Sequence, residues 1–180
     1  MKNTFLKLDK IHSLNPDFDN NISSNIQRFD DVSKEYYDIQ YYDTSAKIHQ
    51  QLLSYIPTEF HEHIWHSSML VMKTSDLKHI DDNSKCNINF YMDTGDSITR
   101  FYEPDYTGRT MSYGDTGKVF YDELNLVDQF VPKKSEIYLL NAEIPHSVKV
   151  QNVDVRSVYC LHSKLRFEEA CEILRIPHTY

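Results

Sequence analysis

The sequence predicts a mainly β protein, a β-sandwich or barrel with a few flanking helices, and three observations predict it. From residue 64 onward, short apolar or alternating runs recur at close spacing between turn residues, the pattern of a two-layered or closed sheet. The 180-residue chain holds thirteen tyrosines and nine phenylalanines, which favour strands and aromatic-lined surfaces. Helical periodicity is read at two segments, one before the strand-rich region and one after it. The length fits one domain, with residues 1–64 as a flanking segment, 65–165 as the core and 166–180 as a closing helix and tail.

In chain order, residues 1–43 are polar, with Asn/Asp-rich punctuation at 15–31 and a cluster of Tyr36, Tyr37, Tyr41 and Tyr42. They read as loops with short strands packed outside the core. Thr44 can cap a helix in which Ile48, Leu52, Leu53 and Ile56 recur at helical spacing until Pro57. Met69 to Met72 is a short apolar run. Cys86 to Met92 alternates, with Cys86, Ile88, Phe90 and Met92 on one side and Asn87, Asn89 and Tyr91 on the other. Ile98 to Tyr102 is a strand ended by Glu103-Pro104. Residues 103–118, with Gly108, Gly114 and Gly117, read as a long hairpin or loop that could act as a lid. Residues 119–121, 124–131, 137–140, 147–150 and 155–161 supply further strands, the pair around His146 as a hairpin. Arg166 to Leu174 is a helix with Phe167, Ala170, Cys171 and Leu174 on its apolar face.

The bulk properties exclude some functions. A net charge of −8 argues against non-specific binding to nucleic acid or an anionic membrane, because both need a basic face. No apolar run approaches membrane-spanning length, and the N-terminus lacks the apolar core of a signal peptide. Cys86, Cys160 and Cys171 are odd in number and form no C-x-x-C pair, so reduced thiols in a cytoplasmic setting are expected. The oligomeric state is not readable.

Chemistry concentrates in His79-Ile80-Asp81, His146 and Arg156. In an extended backbone, residues i and i+2 project to one side, so His79 and Asp81 can face one ion. Pro145 restrains the approach to His146, which stands near the start of an outgoing strand. Two imidazoles and one carboxylate can occupy one face of an Fe(II) ion and leave the other open. Arg156 shares a strand face with the apolar Val158 and Cys160, a costly position unless the guanidinium is paired. A carboxylate of an iron-bound organic acid, held bidentately, would remove that cost. The alternatives are an incidental surface triplet, an ordinary turn histidine and an internal salt bridge for the arginine.

The run HIDDNSKCNINFYM, followed by TRFYEP, LLNAEIPHSVKV and VRSVY, resembles the iron(II)/2-oxoglutarate-dependent oxygenases. Within them it is similar to small phage-type and aspartyl/asparaginyl-hydroxylase-like members, over about residues 65–165. The resemblance implies a double-stranded β-helix, or jelly roll. It implies His79, Asp81 and His146 on iron and Arg156 on the distal carboxylate of 2-oxoglutarate, with O2 as the oxidant and a small-molecule or peptide substrate. It places polar cosubstrate contacts at about Asn89 and Tyr91. Two departures stand out. The family's Arg-x-Ser pattern has Val158 at its third position here, and Asp81 supplies a metal carboxylate that the aspartyl-hydroxylase branch often lacks.

Asn87, Arg100 and Tyr102 are candidates for the substrate side, provided that their strand faces line the cavity. The opposite expectation is that Asn87, Asn89 and Tyr91 face solvent. Asp82, beside Asp81, would face away. His61, His63 and His66 suggest a second metal cluster only weakly, and an exposed or packing role is expected for them; Lys133-Lys134 reads as a solvated turn. Two other functions stay open: a cupin-like metal dioxygenase or isomerase without 2-oxoglutarate, and a non-catalytic jelly-roll binding module.

Overall fold

The computed structural model describes residues 4–14, 22–30, 35–74, 77–81, 83–104, 110–113, 117–120, 123–151 and 155–175. Two antiparallel sheets face each other. In spatial order the larger holds β1 (Phe5–Ile11), β11 (Glu136–Asn141), β6 (Cys86–Asp93), β13 (Arg156–Ser163), β4 (Ile64–Met72), β3 (Glu35–Asp43) and β2 (Ile22–Asp30). The smaller holds β10 (Leu126–Phe130), β7 (Ile98–Tyr102), β12 (His146–Lys149), β5 (Lys78–Asp81), β9 (Gly117–Phe120) and β8 (Thr110–Tyr113). The chain passes from one sheet to the other between β4 and β5, β5 and β6, β6 and β7, β10 and β11, β11 and β12, and β12 and β13. This double winding is a double-stranded β-helix, the jelly roll expected from the resemblance.

The alternation in β6 sorts its side chains to two buried faces. Cys86, Ile88, Phe90 and Met92 join a core that also takes Ile48, Leu52 and Leu53 of α1 (Ala46–Leu53), Phe60 of α2 (Thr58–His61) and Phe167, Ala170 and Cys171 of α3 (Phe167–Arg175). Three short helices thus cover the outer face of the large sheet. Tyr91 points the other way and packs between the sheets with Phe101, Phe130, Tyr138, Leu140, Ile144, Val158 and Cys160. The three cysteines are unpaired and buried, and burial pushes the thiols of Cys86 and Cys160 up to about 12.

Four sequence expectations are corrected. Residues before 44 do more than pack outside the core: β1 pairs with β11, β3 pairs with β4, and Leu8, Ile39 and Tyr42 are buried. The helix cap is Ser45, whose Oγ accepts the Ile48 N–H at 3.3 Å, while Thr44 Oγ1 donates to the Ser67 carbonyl at 3.2 Å. That helix ends at Leu53 rather than running to Pro57, because Pro57 opens α2 instead. The strands flanking His146 form no hairpin. The turn at 142–145 carries the chain from β11 in one sheet to β12 in the other. Residues 105–109 and 114–116, where a lid was expected, lie outside the described residues; 110–113 and 117–120 pair as the hairpin β8–β9.

Candidate metal centre

Register builds the centre. His79 on β5 and His146 on β12 are direct cross-strand partners, so their rings lie side by side with centroids 4.4 Å apart. Asp81, two residues along β5 and on the same face, brings Oδ1 to 3.8 Å from His79 Nε2. Ile80, between them, packs on the opposite face with Tyr102, Phe120 and Leu124. The ligand atoms of His79, Asp81 and His146 lie within 4.8 Å of one another, close to the span that two metal–ligand bonds of about 2.0–2.2 Å can bridge. Among the described residues this is the one group of three or more such side chains able to hold a metal ion.

Hydrogen bonds set the tautomers. His79 Nδ1 donates to the Leu77 carbonyl at 2.8 Å, and His146 Nδ1 donates to the Ile144 carbonyl at 2.9 Å. Each neutral ring then carries its lone pair on Nε2, the atom a metal needs. The carboxylate is steadied too: Asn87 Nδ2 donates to Asp81 Oδ2 at 2.8 Å, on the oxygen that does not face His79. The donor set of two imidazoles and one carboxylate suits Fe(II).

Arg156 is the largest fully buried side chain, 1% exposed. It lies on the inner face of β13 with Val158 and Cys160. No carboxylate pairs with it among the described residues. Nη1 points to Met72 Sδ at 3.0 Å, Nη2 donates to the Tyr91 hydroxyl at 3.4 Å, the guanidinium lies 5.3 Å from the Tyr91 ring centroid, and Nε has no partner. A thioether is a poor acceptor, so the five N–H donors of the guanidinium are badly under-used. The internal salt bridge weighed from the sequence is therefore absent among the described residues. Cys160, on the same strand face as Arg156, belongs to the same buried cluster as Phe101, whose ring lies 6.1 Å from that of His146.

Asn89 and Tyr91 face inward, not to solvent; Asn89 Oδ1 is buried without a hydrogen-bond partner, and Tyr91 meets Arg156. Asn87 also faces inward, but its amide is engaged by Asp81 rather than turned to a substrate. Arg100 and Tyr102 are not brought to the centre. They alternate with Phe101, whose ring lies 6.1 Å from that of His146, and Tyr102 bonds Ser147 Oγ at 2.9 Å on the far side of the small sheet. Asp82 lies outside the described residues. The histidines near residue 61 have packing roles as expected. His61 contacts the carbonyls of Leu53 and Ile56, His63 lies against Phe60, and His66 stacks on His162. His162 was missed, although it continues the spacing 156, 158, 160 on the inner face of β13. Burial is the main cause that lowers its pKa to about 4, with His66 lowering it further and Asp81 opposing.

No protein-family model matches the sequence, and no curated protein sequence does. Among solved structures, the chain is similar to an oxidoreductase of the 2OG-Fe(II) oxygenase family from Burkholderia pseudomallei, at 10% identity and a TM-score of 0.48, covering 79% of this chain and 73% of that one. It is similar to E. coli ycfD at 12% identity and a TM-score of 0.49, covering 79% and 40%. It is similar to the vicilin from Solanum melongena at 11% identity and a TM-score of 0.40, covering 72% and 29%. The chain thus spans less than half of ycfD and less than a third of the vicilin. The fold assignment rests on the sheet order and register of this chain.

Proposed function

We propose that the chain is an Fe(II)- and 2-oxoglutarate-dependent oxygenase, acting as a hydroxylase on a small molecule, an amino acid or a peptide side chain. One observation carries the reading: a buried arginine without a carboxylate partner among the described residues shares the inter-sheet space with a His-Asp-His group. His79 and His146 would ligate through Nε2 and Asp81 through Oδ1. Iron, when bound, would supply coordination of 2-oxoglutarate and activation of O2, coupled to oxidative decarboxylation to succinate and carbon dioxide. Arg156 would hold the distal carboxylate of 2-oxoglutarate in a charge-assisted pair, which offsets the cost of burying the guanidinium. The Tyr91 hydroxyl stands beside that pair. Val158, at the position where the resembling family carries serine, contributes an apolar wall with Phe101 and Leu140 that keeps water from it.

Succinate formation from 2-oxoglutarate tests the reading. It is expected to require added Fe(II) and to vanish in His146→Ala. Turnover retained without His146 overturns the assignment. Tight metal binding with no response to 2-oxoglutarate would move the chain to the cupin-like reading.

A further inference from the structure

Asp81 sits at one end of a hydrogen-bond chain whose direction can be worked out atom by atom. An ionised carboxylate only accepts, so the Asn87 amide must turn Nδ2 toward Asp81 Oδ2, at 2.8 Å. That orientation leaves Asn87 Oδ1 facing His162 Nδ1 at 3.1 Å, and a carbonyl oxygen also only accepts. His162 Nδ1 therefore carries a proton, which Ser84 Oγ, at 3.3 Å, can share as a second acceptor. In the neutral ring, Nε2 is then the acceptor, and it meets Ser68 Oγ at 2.9 Å. The polarity runs one way throughout: Ser68 to His162, His162 to Asn87, Asn87 to Asp81. The imidazole is clamped from outside by stacking, with ring centroids 5.4 Å from His66 and 5.8 Å from Trp65.

We infer that Asn87 and His162 are positioning residues for the metal carboxylate: they hold Oδ2 of Asp81 in a fixed hydrogen bond and leave Oδ1, on the side of His79, for the ion. The inference rests on the metal reading above and adds to it the group that selects which oxygen binds. Without His162, the Asn87 amide keeps only its bond to Asp81, and nothing anchors its carbonyl end to hold that bond in place. Partners that orient metal ligands in this way are commonly worth about 10–100-fold in metal affinity.

The test is a Co(II) titration of the full chain, read by the visible absorption of the bound ion and by competition with a chelator. Asn87→Ala and His162→Phe are each expected to bind Co(II) about 10–100-fold more weakly than the wild type and to change its spectrum. The phenylalanine keeps the stack on His66 and Trp65, so His162→Phe carries the test if Asn87→Ala does not fold. His162→Asn, whose amide can donate to Asn87 Oδ1, is expected to recover part of the loss. The double variant is expected to be no worse than the weaker single, because the two residues act through one contact. Wild-type affinity and spectrum in both single variants overturn the inference while Co(II) binding by the wild type, lost in His146→Ala, upholds the metal reading. A wild type that binds no Co(II) overturns both.

Discussion

The two faces of the large sheet are both buried, yet they differ in kind. The outer face is mainly apolar: Ile88, Phe90 and Leu161 are wholly covered by side chains that include those of three helices, and the polar side chains buried with them, such as Ser67 and Ser163, carry no charge. The inner face of the same strands buries Asn87, Asn89, Tyr91 and Arg156, and two of these residues carry polar atoms without partners. Burying such groups is costly, whereas burying the outer face stabilises the fold. One face therefore holds the molecule together, and the other keeps polar groups that folding alone does not satisfy. That contrast, more than any single ligand, is what supports the proposed site in the inter-sheet space.

The contrast can be broken from either side. The largest expected effect is on the inner side: His146→Ala should abolish Fe(II)-dependent turnover at a smaller cost in urea unfolding than a truncation on the outer face. On the outer side the reverse holds. Phe90→Ala should cost about 3–5 kcal/mol of stability in urea unfolding, through lost burial and a cavity under the helices. Arg156→Met should act in the opposite sense and raise the stability of the metal-free protein by about 1 kcal/mol or more, since it removes a buried charge with no carboxylate beside it among the described residues. A loss of stability there would mean that the arginine is structural.

The smallest effect is a pH dependence. Burial lowers the pKa of His12, His49 and His162, the last from 6.5 to about 4. The unfolded chain takes up these protons near pH 6.5, and folded His162 does so only near pH 4. Their contribution is complete above pH 6.5 and is lost as the pH falls toward 4. Melting temperatures should decline across that window, and His162→Asn should flatten part of the decline.

The His79 and Asp81 pair was readable in the sequence because its logic is local. The i, i+2 spacing of His79 and Asp81 fixes a shared face once the segment is extended. Arg156 was readable for the same reason, as a charge on an apolar strand side. The pairing of His146 with His79 was not, since it depends on which sheet β12 joins, and the run before Pro145 is equally compatible with a hairpin. Arg100 and Tyr102 were misplaced because β7 has buried residues on both faces, so polarity could not say which face looks inward. The strands before residue 44 were obscured by the tyrosines and acidic residues of β3, which mask its apolar alternation although it pairs on both sides, with β4 and β2.

Binding of 2-oxoglutarate, measured by calorimetry without oxygen on Mn(II)-loaded and metal-free protein, shows whether Arg156 and the His-Asp-His group act on one cosubstrate. Binding is expected to require the metal in the wild type and to weaken by about 2–5 kcal/mol in Arg156→Met, the usual cost of truncating one partner of a buried charge pair. Equal binding with and without the metal, or no difference between the wild type and Arg156→Met, would contradict the proposed function.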